Sequence, residues 1–152
     1  MIEIVPIGAV RGGRAEALDD AWGAVEAEIV LDPAVIKPEA TAGLGDYSHI
    51  VVLFHMHKVP QSKVETGARH PRERIDWPKV GIFAQPARSR PNRLGVTAVE
   101  LIAVDGLKLR VRGLDAIDGT PVIDIKPYIS GFAPRGTLRE PAWSKELMAT
   151  YW

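Results

Sequence analysis

Residues Gly113–Ile129 read GLDAIDGTPVIDIKPYI. Two apolar, strand-like runs meet at Asp118-Gly119, a dipeptide that readily takes the φ > 0 turn joining antiparallel strands, so the stretch predicts a β-hairpin. Strand alternation beyond the turn puts Val122, Asp124, Lys126 and Tyr128 on one face and Ile123, Ile125 and Ile129 on the other. An acid, a base and a phenol in one row opposite a branched apolar row suit either a plain hairpin or part of a site.

Similar punctuation recurs outward from this stretch. Leu107, Leu109 and Val111 alternate with Lys108, Arg110 and Arg112, and Asp105-Gly106 joins that run to Val96–Val104 as a second hairpin signal. Ser48–Val59, SHIVVLFHMHKV, is β-branched and aromatic and predicts a central strand. Residues 1–10, 24–31 and 80–85 predict shorter strands, with a helix as the alternative over 24–31 because of its Ala and Glu. Residues 39–44 predict one helical turn, and Glu140–Trp152 a short helix anchored by Trp143 and Met148. Residues 60–79 carry Pro60, Gly67, Pro71 and Pro78, so a long polar loop is expected there. The expected fold is all-β: a small, mainly antiparallel β-barrel with short helical segments in loops and at the C-terminus. The 152 residues suit a single domain, with the core over residues 1–130 and a tail over 131–152.

Composition narrows the chemistry. A 46% apolar and 25% charged chain is of ordinary globular type. No cysteine is present, which excludes disulfides, thiolate metal sites and cysteine nucleophiles. No apolar run reaches the roughly 18 residues of a membrane span. MIEIVPIG lacks a basic leader, so the expected compartment is the cytoplasm. Net charge is zero but uneven: residues 63–93 hold eight Lys/Arg against three acids, whereas residues 1–62 hold four against nine. Such a basic block fits an anionic partner, or a solvated loop whose arginines pair with nearby acids.

Neither a GxGxxG nor a Walker loop occurs, and there is no GxSxG elbow. His49, His55 and His57 share a face if the strand runs through them; His55 and His57 can then hold a metal with His70 or an acid, or be hydrogen-bonded histidines of a barrel. Arg90-Pro91-Asn92 reads as a tight turn whose guanidinium can hold a carboxylate or phosphate, or simply link two strands.

Ser48-His49, Val80-Gly81-Ile82-Phe83-Ala84, Arg90-Pro91-Asn92 with Gly95, and Leu114-Asp115 followed by Asp118-Gly119-Thr120-Pro121-Val122 and Asp124-Ile125-Lys126-Pro127-Tyr128 occur in an order that resembles the TsaA-like (YaeB/TrmO) family of S-adenosylmethionine-dependent tRNA methyltransferases. The resemblance runs from Ile7-Gly8 to Ile129. It implies a β-barrel homodimer with S-adenosyl-L-methionine near the subunit interface, and N6-methylation of threonylcarbamoyl-adenosine beside the tRNA anticodon. By the same resemblance His55, Met56, Val96, Arg112, Gly113, Leu114 and Asp115 border the cofactor. The family's Thr-Arg-Ser-Pro is Gln85-Pro86-Ala87-Arg88 here, so Pro86 replaces the family arginine and Arg88 can substitute only by a two-residue shift. The proline of RPNP is Arg93. Arg69, Arg72, Arg74, Arg88, Arg90, Arg93 and Lys126 are expected to meet tRNA. No metal is expected. Asp115, Asp124 and His55 are candidates for accepting the proton of the methylated amine. Two other readings remain at this point: a cofactor- or RNA-binding module without methyl transfer, motivated by Pro86, and a metal-dependent hydrolase using His55 and His57.

Overall fold

A computed structural model describes residues 1–152. Six strands close into an antiparallel barrel: β1 (Gly8–Arg11), β2 (Glu26–Leu31), β3 (His49–His55), β6 (Leu94–Asp105), β7 (Lys108–Arg112) and β8 (Pro121–Pro127), in the order β1-β2-β7-β6-β3-β8. Two short strands, β4 (Ala68–Arg69) and β5 (Val80–Gly81), form a separate ribbon, and one α-helix, α1 (Ala142–Met148), follows the barrel. The barrel expectation is therefore met.

Alternation builds the interior. Ala27, Ile29 and Leu31 of β2, Ile50, Val52 and Phe54 of β3, Val99 and Leu101 of β6, and Leu109 and Val111 of β7 all point into one core. Gly95 pairs with Phe54, and a Cβ at Gly95 would lie 2.4 Å from the Phe54 ring, so only a glycine lets that ring lie across β6. The β6–β7 hairpin forms as predicted, with Gly106 at φ 57° in its turn.

Gly113–Ile129 departs from expectation twice. It is not a hairpin: β7 pairs with β2 and β6, whereas β8 pairs with β1 and β3. Residues 113–120 instead cross one mouth of the barrel and bury Leu114 and Ala116 in its core, with Ile117 also buried. Asp118-Gly119 does turn, with Gly119 at φ 82°, but it docks on β1: the Gly119 N–H donates to the Val10 carbonyl, and the Asp118 carboxylate accepts from the Gly12 N–H. The second departure is a β-bulge. Leu53 faces Asp124 but Phe54 faces Val122, so Ile123 is the extra residue. Val122 consequently points into the core with Ile125, opposite to Asp124 and Lys126, which stay together outside at 3.4 Å.

Smaller corrections concern the ends of strands and the buried face of the helix. Of residues 1–10 only Gly8–Val10 lie in β1; Pro6 has no N–H to extend the ladder. Of residues 80–85 only Val80-Gly81 pair, and Ile82–Ala84 form a 3₁₀ turn. The central strand stops at His55, where the Met56 N–H turns to the Arg93 carbonyl. In α1 the apolar anchors are Trp143 and Leu147, while Met148 is exposed. Trp143 and Leu147 pack on Trp77 and Val80 as a second, small core. The Trp77 and Trp143 rings lie 6.1 Å apart, and the Trp77 indole N–H donates to Glu146 at 2.8 Å.

Candidate functional site

The Asp115 carboxylate at the plugged mouth is bonded through both of its oxygens. Gly113, at φ 85°, bends the chain out of β7, and Leu114 is sunk in the core, which fixes Asp115 at the rim. One Asp115 oxygen accepts from the Thr97 hydroxyl on the inward face of β6, and the other accepts from the Tyr151 hydroxyl. Burial, then the charge of Asp115, push the Tyr151 phenol well above its ordinary range, so it stays a donor.

Tyr151 reaches Asp115 because the residues after α1 run back along residues 20–23. The Ala21 and Trp22 N–H groups donate to the Thr150 and Tyr151 carbonyls at 2.9 and 2.8 Å, and Trp152 lies against Gly23. Three arginines hold that loop. Arg14 donates to the Asp20 and Ala21 carbonyls and lies over the Trp22 ring. Arg72 binds the Asp20 carboxylate at 3.0 Å, and Arg88 donates to the Ala17 carbonyl at 2.8 Å. The Arg72 hydrogen bond is also the main cause holding the Asp20 carboxyl below its usual range. Segments around residues 20, 72, 97, 115 and 151 thus converge. Sequence reading named Asp115 but not Thr97, Asp20 or Tyr151, since nothing local marks a partner 36 residues away.

The other residues named from sequence fall at several places on the barrel. His55 and Met56 lie at the end of β3, with His55 opposite Leu94 on the strand that carries Thr97. Burial first, then the Arg93 charge, lower the His55 basicity, and burial likewise lowers that of His57, whose Nδ1 is enclosed without a partner. Val96 is exposed on the outer face, opposite to Thr97. The Arg112 guanidinium is committed to Glu26 and Glu100, its cross-strand neighbours, at 2.7 and 2.8 Å, leaving its backbone at the site. Asp124 is remote from Asp115: it binds the Ile125 N–H and lines a 660 Å³ cavity at the opposite mouth with Ile7, Leu31 and Leu109.

His49, His55 and His57 do not form one row, because the His57 N–H folds back to the His55 carbonyl past the strand end. His70 lies elsewhere, bonded through Nδ1 to the Trp77 carbonyl. No group of three or more His, Asp or Glu side chains is arranged to hold a metal ion.

The arginines expected to meet RNA are mostly engaged within the chain. Arg74 pairs with Asp76 and covers the Trp77 ring, Arg90 donates to the Gln85 carbonyl, and Arg93 donates to the Val59 carbonyl. Arg93 sits at φ 51° in the Pro91–Arg93 turn, a conformation closed to proline, so this turn differs from one an RPNP sequence would make.

A closed six-stranded antiparallel barrel with a carboxylate-centred site at one mouth is a different class of architecture from the parallel-sheet nucleotide binders whose glycine motifs are missing. The sequence model of the tRNA-methyltransferase O N-terminal domain matches residues 19–133. The chain belongs to that family. It is 40% identical over 131 residues to a probable S-adenosyl-L-methionine-binding protein of Methanothermobacter thermautotrophicus, covering 84% of this chain and 90% of the relative. It is 36% identical over 99 residues to the human tRNA (adenine(37)-N6)-methyltransferase, covering 65% of this chain and 22% of the human protein. Its fold superposes on a crystal structure of TrmO from Pseudomonas aeruginosa with a TM-score of 0.75 at 29% identity, covering 94% of this chain and 62% of that one. The chain therefore spans most of the archaeal relative but only part of the human and Pseudomonas proteins.

Proposed function

We infer that this chain is an S-adenosylmethionine-dependent tRNA methyltransferase that N6-methylates threonylcarbamoyl-adenosine next to the anticodon, working in the cytoplasm as a homodimer of one barrel domain. The observation that carries the reading is the family match across residues 19–133. The names of the human and archaeal relatives support the reaction and the cofactor.

The residues at the plugged mouth fit the cofactor chemically. Bound S-adenosylmethionine supplies an already activated methyl group, so the protein's task is positioning. Asp115 is the acceptor for ribose hydroxyls or the amine, the backbone of residues 112–115 offers adenine its hydrogen bonds, and Met56 is an apolar wall. Arg88 donates to the Ala17 carbonyl and so fixes the loop beside the site, a role that supports the cofactor pocket indirectly where Pro86 displaces the family arginine. His55 is the best proton acceptor of the three candidates. Desolvation keeps its imidazole neutral, whereas Asp115 is already bonded and Asp124 faces the far mouth.

The test is mass spectrometry of tRNA nucleosides from cells with and without the gene, paired with calorimetry of S-adenosylmethionine on the wild type and Asp115→Asn. The reading requires loss of the methylated nucleoside in the deletion and sharply weaker cofactor binding in a folded variant. Unchanged nucleosides despite cofactor binding would favour a binding module instead.

A further inference from the structure

Eight Lys/Arg side chains fall within residues 63–93, and five of them are used to hold the chain together: Arg72 on Asp20, Arg74 on Asp76, Arg88 on the Ala17 carbonyl, Arg90 on the Gln85 carbonyl and Arg93 on the Val59 carbonyl. The three without an internal partner are Lys63, Arg69 and Lys79. All three line one open cavity of 420 Å³, together with His70, Glu65 and Glu73.

The cavity rests on a braced support. Arg69 is in β4 and pairs with Val80 of β5, so Lys79 stands beside it across the ribbon. The buried Gln85 side chain donates from one amide nitrogen to both the Arg69 and Val80 carbonyls, at 3.0 and 3.1 Å, clamping the two strands. His70 Nδ1 donates to the Trp77 carbonyl at 2.8 Å, which ties the same ribbon to the Trp77–Trp143 core and leaves Nε2 free. Of the two carboxylates, Glu65 is turned back onto the Gly67 N–H at 2.7 Å. Three cations with no partner of their own, Arg69 on the ribbon, Lys79 directly before its second strand and Lys63 at the end of the Gln61–Lys63 turn, line one open concavity and suit anionic oxygens spaced along a chain rather than one small ion.

We propose that the concavity formed by Lys63, Arg69, His70 and Lys79 is a phosphate-backbone seat for the RNA substrate. The inference rests on the tRNA reading above and sharpens it: of the arginines in the basic block, Arg69 contacts RNA, and the two lysines join it, while the five tied arginines serve the fold.

The test is filter binding of unmodified tRNA across a salt series, with Lys63→Gln, Arg69→Gln and Lys79→Gln combined in one variant. A control variant removes the same charge elsewhere, through Lys37→Gln, Lys108→Gln and Arg110→Gln. Losing three phosphate contacts should lower the slope of log affinity against log salt by about 2–3 and raise KM for tRNA at least tenfold. Cofactor affinity by calorimetry should stay within twofold of wild type, and the control should keep the wild-type slope. A cavity variant with the wild-type slope and KM, or a control that weakens binding equally, overturns the seat while leaving the methyltransferase reading intact. A wild-type protein that neither binds nor methylates tRNA overturns both.

Discussion

Tyr151→Phe removes one oxygen atom and separates the polar role of this side chain from its packing. The phenol donates to a carboxylate whose other oxygen is already taken by Thr97, so the variant leaves one side of a partly buried anion without its donor. Hydrogen bonds to charged groups contribute about 1.5–3 kcal/mol. For a chain of this size, each kcal/mol moves the melting temperature by about 2–4 °C, so a fall of about 3–12 °C is expected at pH 7. The pH dependence gives an independent check. Burial and Asp115 raise the folded-state pKa of Tyr151 above the unfolded value of about 10. The protonated phenol is therefore favoured by folding, its stabilisation is full below about pH 10, and it is lost as pH rises from there toward the folded value. Calorimetric melts from pH 7 to 11 should show the wild type losing its advantage over Tyr151→Phe at the alkaline end. Equal melting temperatures at pH 7, or a gap that does not change with pH, would refute the Asp115–Tyr151 bond as a stabilising feature.

Other perturbations separate the parts of the fold. Gly95→Ala drives a methyl into the Phe54 ring and should cost about 1–3 kcal/mol by urea denaturation, with partial rescue by Phe54→Leu. Trp143→Ala should cost about 3–5 kcal/mol in the small core and expose residues 133–141 to limited proteolysis, while far-ultraviolet dichroism of the barrel persists. The lowered basicity of His55 and His57 means the unfolded chain takes up protons first as pH falls below about 6.5, so stability declines from there; His57→Gln should flatten that decline in melts between pH 7 and 5. Gln85→Ala should loosen the β4–β5 ribbon without changing charge, weakening tRNA binding at an unaltered salt slope.

What could be read from the sequence follows the range of the interactions. The barrel strands announce themselves through alternation, and Asp105-Gly106 marks a true hairpin because the strands it joins are adjacent in chain and in sheet. Asp118-Gly119 carries the same local signal, yet Leu114 and Ala116 are apolar because they plug a mouth, not because they pair. Local pattern does not distinguish those two burials. The bulge at Ile123 is equally silent, since it is set by the register of β3 against β8 and reverses the face of Val122 relative to Asp124. Asp115 was legible only through family resemblance, and its partners Thr97 and Tyr151 lie 18 and 36 residues away.

The basic block shows how a correct count can still mislead about position. Counting charges in residues 63–93 gives an excess of five, and an even spread of that excess would make every arginine a candidate for RNA. Guanidinium groups, with five donors in a rigid fork, are also the side chains best suited to collecting carbonyl oxygens from loops that lack a ladder. Arg14, Arg72 and Arg88 do this around residues 17–21, where the chain makes few backbone bonds of its own. The ammonium groups of Lys63 and Lys79 are not drawn into such work, so the lysines, together with the one arginine set on a ribbon, retain the charge that faces outward. Residue type thus divides the block: Arg72 and Arg88 hold the loop beside Asp115, Arg74, Arg90 and Arg93 brace nearby turns, and Lys63, Arg69 and Lys79 keep the free charge on which the proposed RNA seat rests.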